Sequence, residues 1–230
     1  MIPPLAQLTV KRPTREVICG DALEWLRARE VLGGCSVITS LPDVSELGLD
    51  LPAWEGWFTE AARMIVARLP AAGLALFLQS DIRRAGVWID KGFLVAEGAR
   101  RAGGVLLFHK IVCRKPPGTV DFGRATFSHL LAFGAPQFRF QRPAAIPDVL
   151  VDGGEPLWSK GMGIGVSLTL ARIVAEHTST TTIVDPFCGW GTVLAAANAV
   201  GLDAIGIERA RGRCAQARRL RIDTAAILAP

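Results

Sequence analysis

Two rhythms of apolar residues alternate along the chain. Short runs at Glu16–Cys19, Ser36–Thr39, Leu74–Leu78, Thr181–Val184 and Ala204–Ile207 have the length of buried strands. Between them lie stretches with helical spacing. The clearest is Trp54–Leu69, apolar at 54, 57, 58, 61, 65, 66 and 69 and closed by Pro70 and Gly73. Ala22–Arg29, Val166–His177, Gly191–Val200 and the basic segment Ala210–Leu220 also read as helices. Val105–Cys113 and Thr126–Phe133 are β-rich and separated by the turn-like Lys115-Pro116-Pro117-Gly118. Pro136 to Pro156 is punctuated by proline and reads as a loop or short insertion. Strands alternating with helices predict an α/β fold. Its sheet is mostly parallel, with a ligand crevice at the carboxyl ends of the strands.

Composition narrows the class. Half of the 230 residues are hydrophobic and one fifth charged, which suits a packed domain rather than a disordered chain. No apolar run reaches the roughly 18 residues of a membrane helix, and the first residues carry two prolines instead of a continuous apolar stretch. A secreted or membrane protein is disfavoured. The five cysteines (Cys19, Cys35, Cys113, Cys188, Cys214) are scattered without a C-x-x-C pair, and His109, His129 and His177 stand alone. The expectation is therefore reduced, mostly buried thiols, no metal site and a cytoplasmic protein. A net charge of +5 suits a polyanionic partner. Tyrosine is absent.

The sharpest chemistry lies between Thr181 and Arg209. A strand leads into Asp185-Pro186-Phe187-Cys188-Gly189-Trp190-Gly191-Thr192, then a helix, a second strand and Glu208, 19 residues after Gly189. Glycines at a strand-to-helix turn let the backbone approach a ligand. An acid ending the next strand can accept hydrogen bonds from two ribose hydroxyls. A dinucleotide fingerprint would place Gly or Ala where Leu194 stands, and Asp185 would face a pyrophosphate of like charge. A carboxylate there suits a cationic ligand, so S-adenosyl-L-methionine fits better than NAD. Fewer than forty residues follow Gly191. The rest of the sheet must then come from the N-terminal side, in permuted order.

With these residues the sequence resembles the permuted amino-methyltransferases of nucleic acids, the N6-adenine and N4-cytosine DNA methylase-like family. Asp185 to Thr192 matches its D-P-F-C-G-x-G-T motif without a break. The resemblance implies a Rossmann-like class I methyltransferase fold in one domain spanning 1–230. It has a mostly parallel seven-stranded sheet, helices on both faces, a C-terminal antiparallel hairpin and a circularly permuted motif order. It implies cofactor contacts from Asp185, Phe187, Cys188, Gly189, Gly191, Thr192 and Glu208. Asp21, after Gly20, matches the strand-end acid at the adenine. Lys160 matches the segment beside the methionine end, and Phe127–Gly134 the last hairpin strand. The short stretch 135–158 stands in place of a large target-recognition domain.

In that family the strand before the long helix ends in D/N/S-P-P-Y/F/W. Here it ends in Ser40-Leu41-Pro42-Asp43, with leucine for the first proline and aspartate for the aromatic. A base amine is a poor nucleophile because its lone pair is delocalised into the ring. Two acceptors holding its protons favour a pyramidal nitrogen aimed at the methyl group. Ser40 and the Leu41 carbonyl supply them, and Asp43 adds a third acceptor or a proton sink. With the aromatic lost, stacking falls to Trp54, Trp57, Phe122 or Trp158, or is absent; Trp54 and Trp57 share helical spacing with core residues. The expected activity is methyl transfer from S-adenosyl-L-methionine to an exocyclic base amine. RNA is favoured slightly over DNA, because so little recognition surface suits an accessible base. Arg209, Arg211, Arg213, Arg218, Arg219 and Arg221, and near the start Lys11, Arg12 and Arg15, are candidate phosphate contacts. The alternative is a catalytically inactive RNA-binding or assembly protein of the same fold.

Overall fold

The β-rich runs pair into one sheet. The computed structural model describes residues 12–140, 146–158 and 161–222. In chain order the elements are β1 (Arg15–Cys19), α1 (Ala22–Arg27), β2 (Cys35–Thr39), α2 (Val44–Leu47), α3 (Leu51–Val66), β3 (Leu74–Gln79), β4 (Ile82–Arg84), β5 (Val87–Ile89), α4 (Lys91–Arg101), β6 (Val105–Cys113), β7 (Phe127–Gly134), β8 (Val149–Leu150), α5 (Ile164–His177), β9 (Thr182–Asp185), α6 (Thr192–Ala199), β10 (Asp203–Glu208) and α7 (Arg211–Arg219). The sheet runs β1-β10-β9-β2-β3-β7-β6-β8, and β4 and β5 form a separate ribbon. All pairings from β1 to β3 are parallel, whereas β7 is antiparallel to both β3 and β6.

The permutation is visible in the register. The two C-terminal strands insert between the two N-terminal ones, β10 beside β1 and β9 beside β2. The crevice therefore combines loops from opposite ends of the chain. Strands buried on both faces carry apolar residues continuously: β3 reads Leu-Ala-Leu-Phe-Leu-Gln with every residue buried. Leu74, Leu76, Leu130 and Ala132 face a core shared with α5, α6 and α7. Ala75, Phe77, Leu131 and Phe133 face one shared with α1, α3 and α4.

Three expectations about the sheet are corrected. It has an eighth strand, because part of the proline-rich segment extends along β6, where Lys110 reaches Asp148 at 2.7 Å and the Ile146 carbonyl at 2.9 Å. The antiparallel hairpin is β6–β7, in the middle of the chain rather than at its C-terminus, a direct result of the permuted order. The β4–β5 ribbon and α4 fill the stretch between Leu78 and Val105, for which the apolar pattern predicted nothing. Because α7 packs on β1, Cys19 and Cys214 lie side by side with their Cα atoms 6.1 Å apart, while Cys35, Cys113 and Cys188 are free. Among the described residues no helix is long and apolar enough to cross a membrane.

Candidate functional site

Parallel strands deliver their carboxyl ends to one edge of the sheet, and a single cleft opens where four of them end. It is lined by Gly20 and Asp21 after β1, Ser40 to Pro42 after β2, Asp185 to Gly189 after β9, and Ile207 to Arg209 at the end of β10. Glu46 and Leu47 of α2, Trp57 of α3, Trp158, Met162, Thr192 and Arg213 complete the walls. The cofactor segment and the Ser40–Asp43 segment, far apart in sequence, meet here.

The glycine-rich turn has the shape its sequence predicts. Gly189 and Gly191 take φ of +53° and +85°, conformations that favour glycine. Gly191 is also the N-cap of α6, and a Cβ there would lie 2.8 Å from the Ala217 Cα of α7. Leu194, one turn into α6, is accommodated by Gly206 of β10, where a Cβ would come within 2.5 Å of the leucine Cδ1. A glycine on the strand thus makes the room that the dinucleotide fingerprint makes on the helix.

The carboxylates have distinct environments. Asp185 is buried and accepts hydrogen bonds from the Thr39 hydroxyl at 2.7 Å and the Phe187 N–H at 3.1 Å. Burial pushes its pKa up to about 7, against those two hydrogen bonds and with a smaller push from the Glu208 charge. A cation in the cleft would reverse that cost. Glu208 accepts from the Ala210 N–H at 2.8 Å, and its other oxygen lies 3.9 Å from Arg213. Asp21 caps α1, one oxygen accepting from the Leu23 and Glu24 N–H groups at 2.9 and 3.0 Å. Cys188 lies behind the turn, its thiol pushed up by burial and by Asp185 and Glu208, so it is neutral packing rather than a nucleophile. Thr192 is buried in the first turn of α6. Lys160 lies outside the described residues, as does Lys11.

The Ser40–Asp43 segment divides in two. Ser40, Leu41 and Pro42 line the cleft. Asp43 does not: its carboxylate is held by the ammonium of buried Lys91 at 2.5 Å. Asp43, expected as a third acceptor or a proton sink, is paired with Lys91 and is not among the residues that line the cleft. The carboxylate on this wall is instead Glu46, which accepts from the Asp43 N–H at 3.0 Å. Trp54 is fully buried, and its indole N–H donates to the Pro42 carbonyl at 3.1 Å, tying the loop to α3.

Trp57, expected in the core, is half-buried in the cleft wall, edge-on to Phe187 with centroids 5.6 Å apart. Trp158 lies parallel to Trp190, with centroids 6.3 Å apart, and Arg213 sits 5.2 Å from the Trp158 ring centroid. Of the basic candidates, Arg209 and Arg213 reach the cleft. Arg15 and Arg218 are spent on backbone carbonyls, Arg15 on Ala217 and Leu220 and Arg218 on Val17. Sequence reasoning missed Glu46, Arg213 as a cleft residue, and Lys91. The spacing Asp43-x-x-Glu46, a capping-box pattern, was the one available signal for a helix there.

No profile of a known protein family matches the chain. No curated protein sequence matches it either. Solved structures do. A candidate DNA modification methylase from Thermus thermophilus aligns with a TM-score of 0.68 at 20% identity, over 89% of this chain and 92% of its own. The same protein, crystallised with S-adenosyl-L-methionine, aligns at 0.67. PvuII DNA methyltransferase, cytosine-N4-specific, gives 0.70 at 16% identity over 94% and 93%. M1.HpyAVI in its SAM complex gives 0.62 at 15% over 91% and 100%. At these identities the likeness shows the fold: the Rossmann-like fold of class I methyltransferases, covering nearly the whole chain.

Proposed function

We propose that this chain is an S-adenosyl-L-methionine-dependent methyltransferase acting on an exocyclic amine of a nucleic-acid base. The observation that carries this reading is the convergence, in one cleft, of the intact Asp185–Thr192 turn, the acid Glu208 and the Ser40–Leu41 acceptor pair. The methylases that share the fold support it.

The residues suit the cofactor. Buried Asp185, whose ionisation is costly, fits an ammonium group. Glu208 stands at the strand end where a ribose diol would be held, Asp21 lines the cleft where the base of the nucleoside would lie, and the turn from Phe187 to Gly191 gives close backbone approach. When bound, the cofactor supplies a methyl group on a positively charged sulfur. The chain's own work is orientation. Ser40 Oγ and the Leu41 carbonyl accept hydrogen bonds from the two amine N–H groups, so that the nitrogen lone pair points into the cleft. Trp57, with Phe187 against its edge, offers an aromatic wall in place of the missing motif aromatic. The proton shed by the methylated amine goes to water or to the Glu46 carboxylate.

The target belongs to RNA ahead of DNA and the site of action is the cytoplasm. Part of the segment 146–158 supplies an edge strand and Trp158 rather than recognition surface, which favours a base already accessible. One observation favours the second reading, an RNA-binding or assembly protein without turnover: the motif aromatic is replaced by an aspartate committed to Lys91.

Transfer of labelled methyl from S-adenosyl-L-methionine to structured RNA, single-stranded DNA and duplex DNA tests the proposal. Label in a nucleic acid, lost in Ser40→Ala while cofactor affinity stays within about twofold, is the expected result. Cofactor binding without transfer to any nucleic acid would select the second reading.

A further inference from the structure

The carboxyl edge of the sheet carries more than the cleft. β7 runs antiparallel to β3 with Gln79 opposite His129, and Cys113 of β6 lies opposite Phe127. The connection 114–126 therefore projects from the same edge as the Ser40–Asp43 loop. The β4–β5 ribbon projects there too, directly after β3. Its two-residue turn, Ala85-Gly86, has positive φ at both positions, +48° and +84°, the geometry of a tight hairpin. Arg83 and Trp88 are opposite each other in the ribbon, and the Arg83 guanidinium donates to the Phe122 carbonyl. One arginine thus joins the ribbon to the hairpin connection.

These two projections are unusually apolar and basic for exposed loops. Trp88 is 46% and Phe122 81% exposed, with Val87 and Val120 exposed beside them in sequence. Segments 82–89 and 114–126 contain five cations (Arg83, Arg84, Arg114, Lys115, Arg124) and one carboxylate, Asp121. Asp121 is already held by Lys115 at 2.6 Å. Among the described residues no carboxylate pairs with Arg83, Arg84, Arg114 or Arg124. Nothing in the packing of the fold requires an indole and a phenyl ring held in water among guanidinium groups that no described carboxylate neutralises. Aromatic faces flanked by such groups are what an unpaired nucleic-acid strand recognises: bases stack on the rings and phosphates meet the cations.

We infer that the β4–β5 ribbon and the β6–β7 connection form a docking platform for a single-stranded nucleic-acid segment, with Trp88 and Phe122 stacking on bases that flank the target. The inference rests on the proposed base-methyltransferase activity for its choice of partner. A strand lying on the platform runs along the sheet edge that holds Ser40, so a neighbouring nucleotide can enter the cleft. In that role the platform would do the work of a larger recognition region.

The test is fluorescence anisotropy of the full chain with labelled single-stranded and duplex oligonucleotides of equal length. S-adenosyl-L-methionine calorimetry on every variant serves as the check on folding. Trp88→Ala and Phe122→Ala should each weaken single-strand binding about tenfold, in the range of one lost stacking contact, and leave cofactor affinity unchanged. Trp88→Phe should restore most of the loss. Arg84→Gln and Arg124→Gln should each flatten the salt dependence of single-strand binding, by about 0.7 in the log–log slope. Single-strand affinity unchanged in both alanine variants would overturn the inference. So would binding only to vesicles of anionic phospholipid, with the same dependence on Trp88 and Phe122. The two readings fail separately. Methyl transfer to nucleic acid with kinetics indifferent to the alanine variants removes the platform and keeps the enzyme. Single-strand binding that depends on Trp88 and Phe122, without methyl transfer to any nucleic acid, keeps the platform and removes the enzyme.

Discussion

The Lys91 ammonium lies 2.5 Å from the Asp43 carboxylate, joining the first residue of α4 to the loop that follows β2. Lys91 is almost wholly buried, 5.6 Å from the Phe58 ring centroid, whereas Asp43 keeps about a third of its side chain in water. The pair holds one end of the loop and the Trp54 indole holds its middle through Pro42. On the proposed reading Asp43 acts as a positioning residue. Lys91→Met should cost about 1–3 kcal/mol, less than breaking a fully buried pair because Asp43 can rehydrate. Chemical denaturation reads the loss. In the methyl-transfer assay kcat should fall with little change in cofactor affinity. Asp43→Asn, which keeps a hydrogen bond to Lys91, should retain most of the turnover, an outcome that a proton-accepting Asp43 would forbid.

Cofactor binding should depend on pH through Asp185. Its folded-state pKa, about 7, exceeds the ordinary carboxylate value, so the unliganded protein retains a proton that the unfolded chain has lost. Between about pH 4 and pH 7 the folded state binds more protons. Stability from this group is thus greatest in acid and falls as pH rises, levelling off above 7. A cationic ligand selects the ionised form. Affinity for S-adenosyl-L-methionine should rise by up to about tenfold per pH unit below 7 and flatten above it. Calorimetry in buffers of different ionisation enthalpy should show proton release near pH 6. Asp185→Asn should weaken binding and abolish the slope.

Glu208 stands where β10 ends, two strands from Ser40 in the order of the sheet. Loss of a charged acceptor for two hydroxyls costs about 1.5–3 kcal/mol. Glu208→Ala should therefore raise the cofactor dissociation constant by roughly 10- to 150-fold, measured by calorimetry. Retained affinity would place the ribose elsewhere.

Gly191 joins the left-handed turn to the packing of α6 on α7. An alanine there meets Ala217 backbone at 2.8 Å and takes an unfavourable φ of +85°. Gly191→Ala should destabilise the fold by about 1–3 kcal/mol and cofactor affinity should fall with it. Thermal unfolding with and without cofactor separates the two effects.

Much of this was legible in the residue pattern, for a physical reason. Strands buried on both faces must be continuously apolar, and Trp54–Leu69 must present a stripe to the sheet, so hydrophobic periodicity alone places most elements within a few residues. The turn Asp185–Thr192 is a local structure whose φ values require glycine at fixed places, so it too is readable from a short window. The permuted order shows in the sheet itself, where β9 and β10 insert between β1 and β2.

Other features depended on partners distant in the chain. The α4 segment carries Gly92 and Gly98, which lower its helical signal. Gly98 is there because a Cβ would strike the Thr59 carbonyl of α3 at 2.2 Å. The ribbon β4–β5 has three residues per strand, too short to show a period. Whether Asp43 faces the cleft or a lysine 48 positions on depends on how α4 packs beside the loop. Trp54 and Trp57 share a helix and a spacing, yet one is fully buried under the Pro42 loop and the other half-buried in the cleft wall against Phe187. The sequence carries what each segment can be. Burial, charge pairing and facing are relations between segments, and they exist only once the sheet has brought them together.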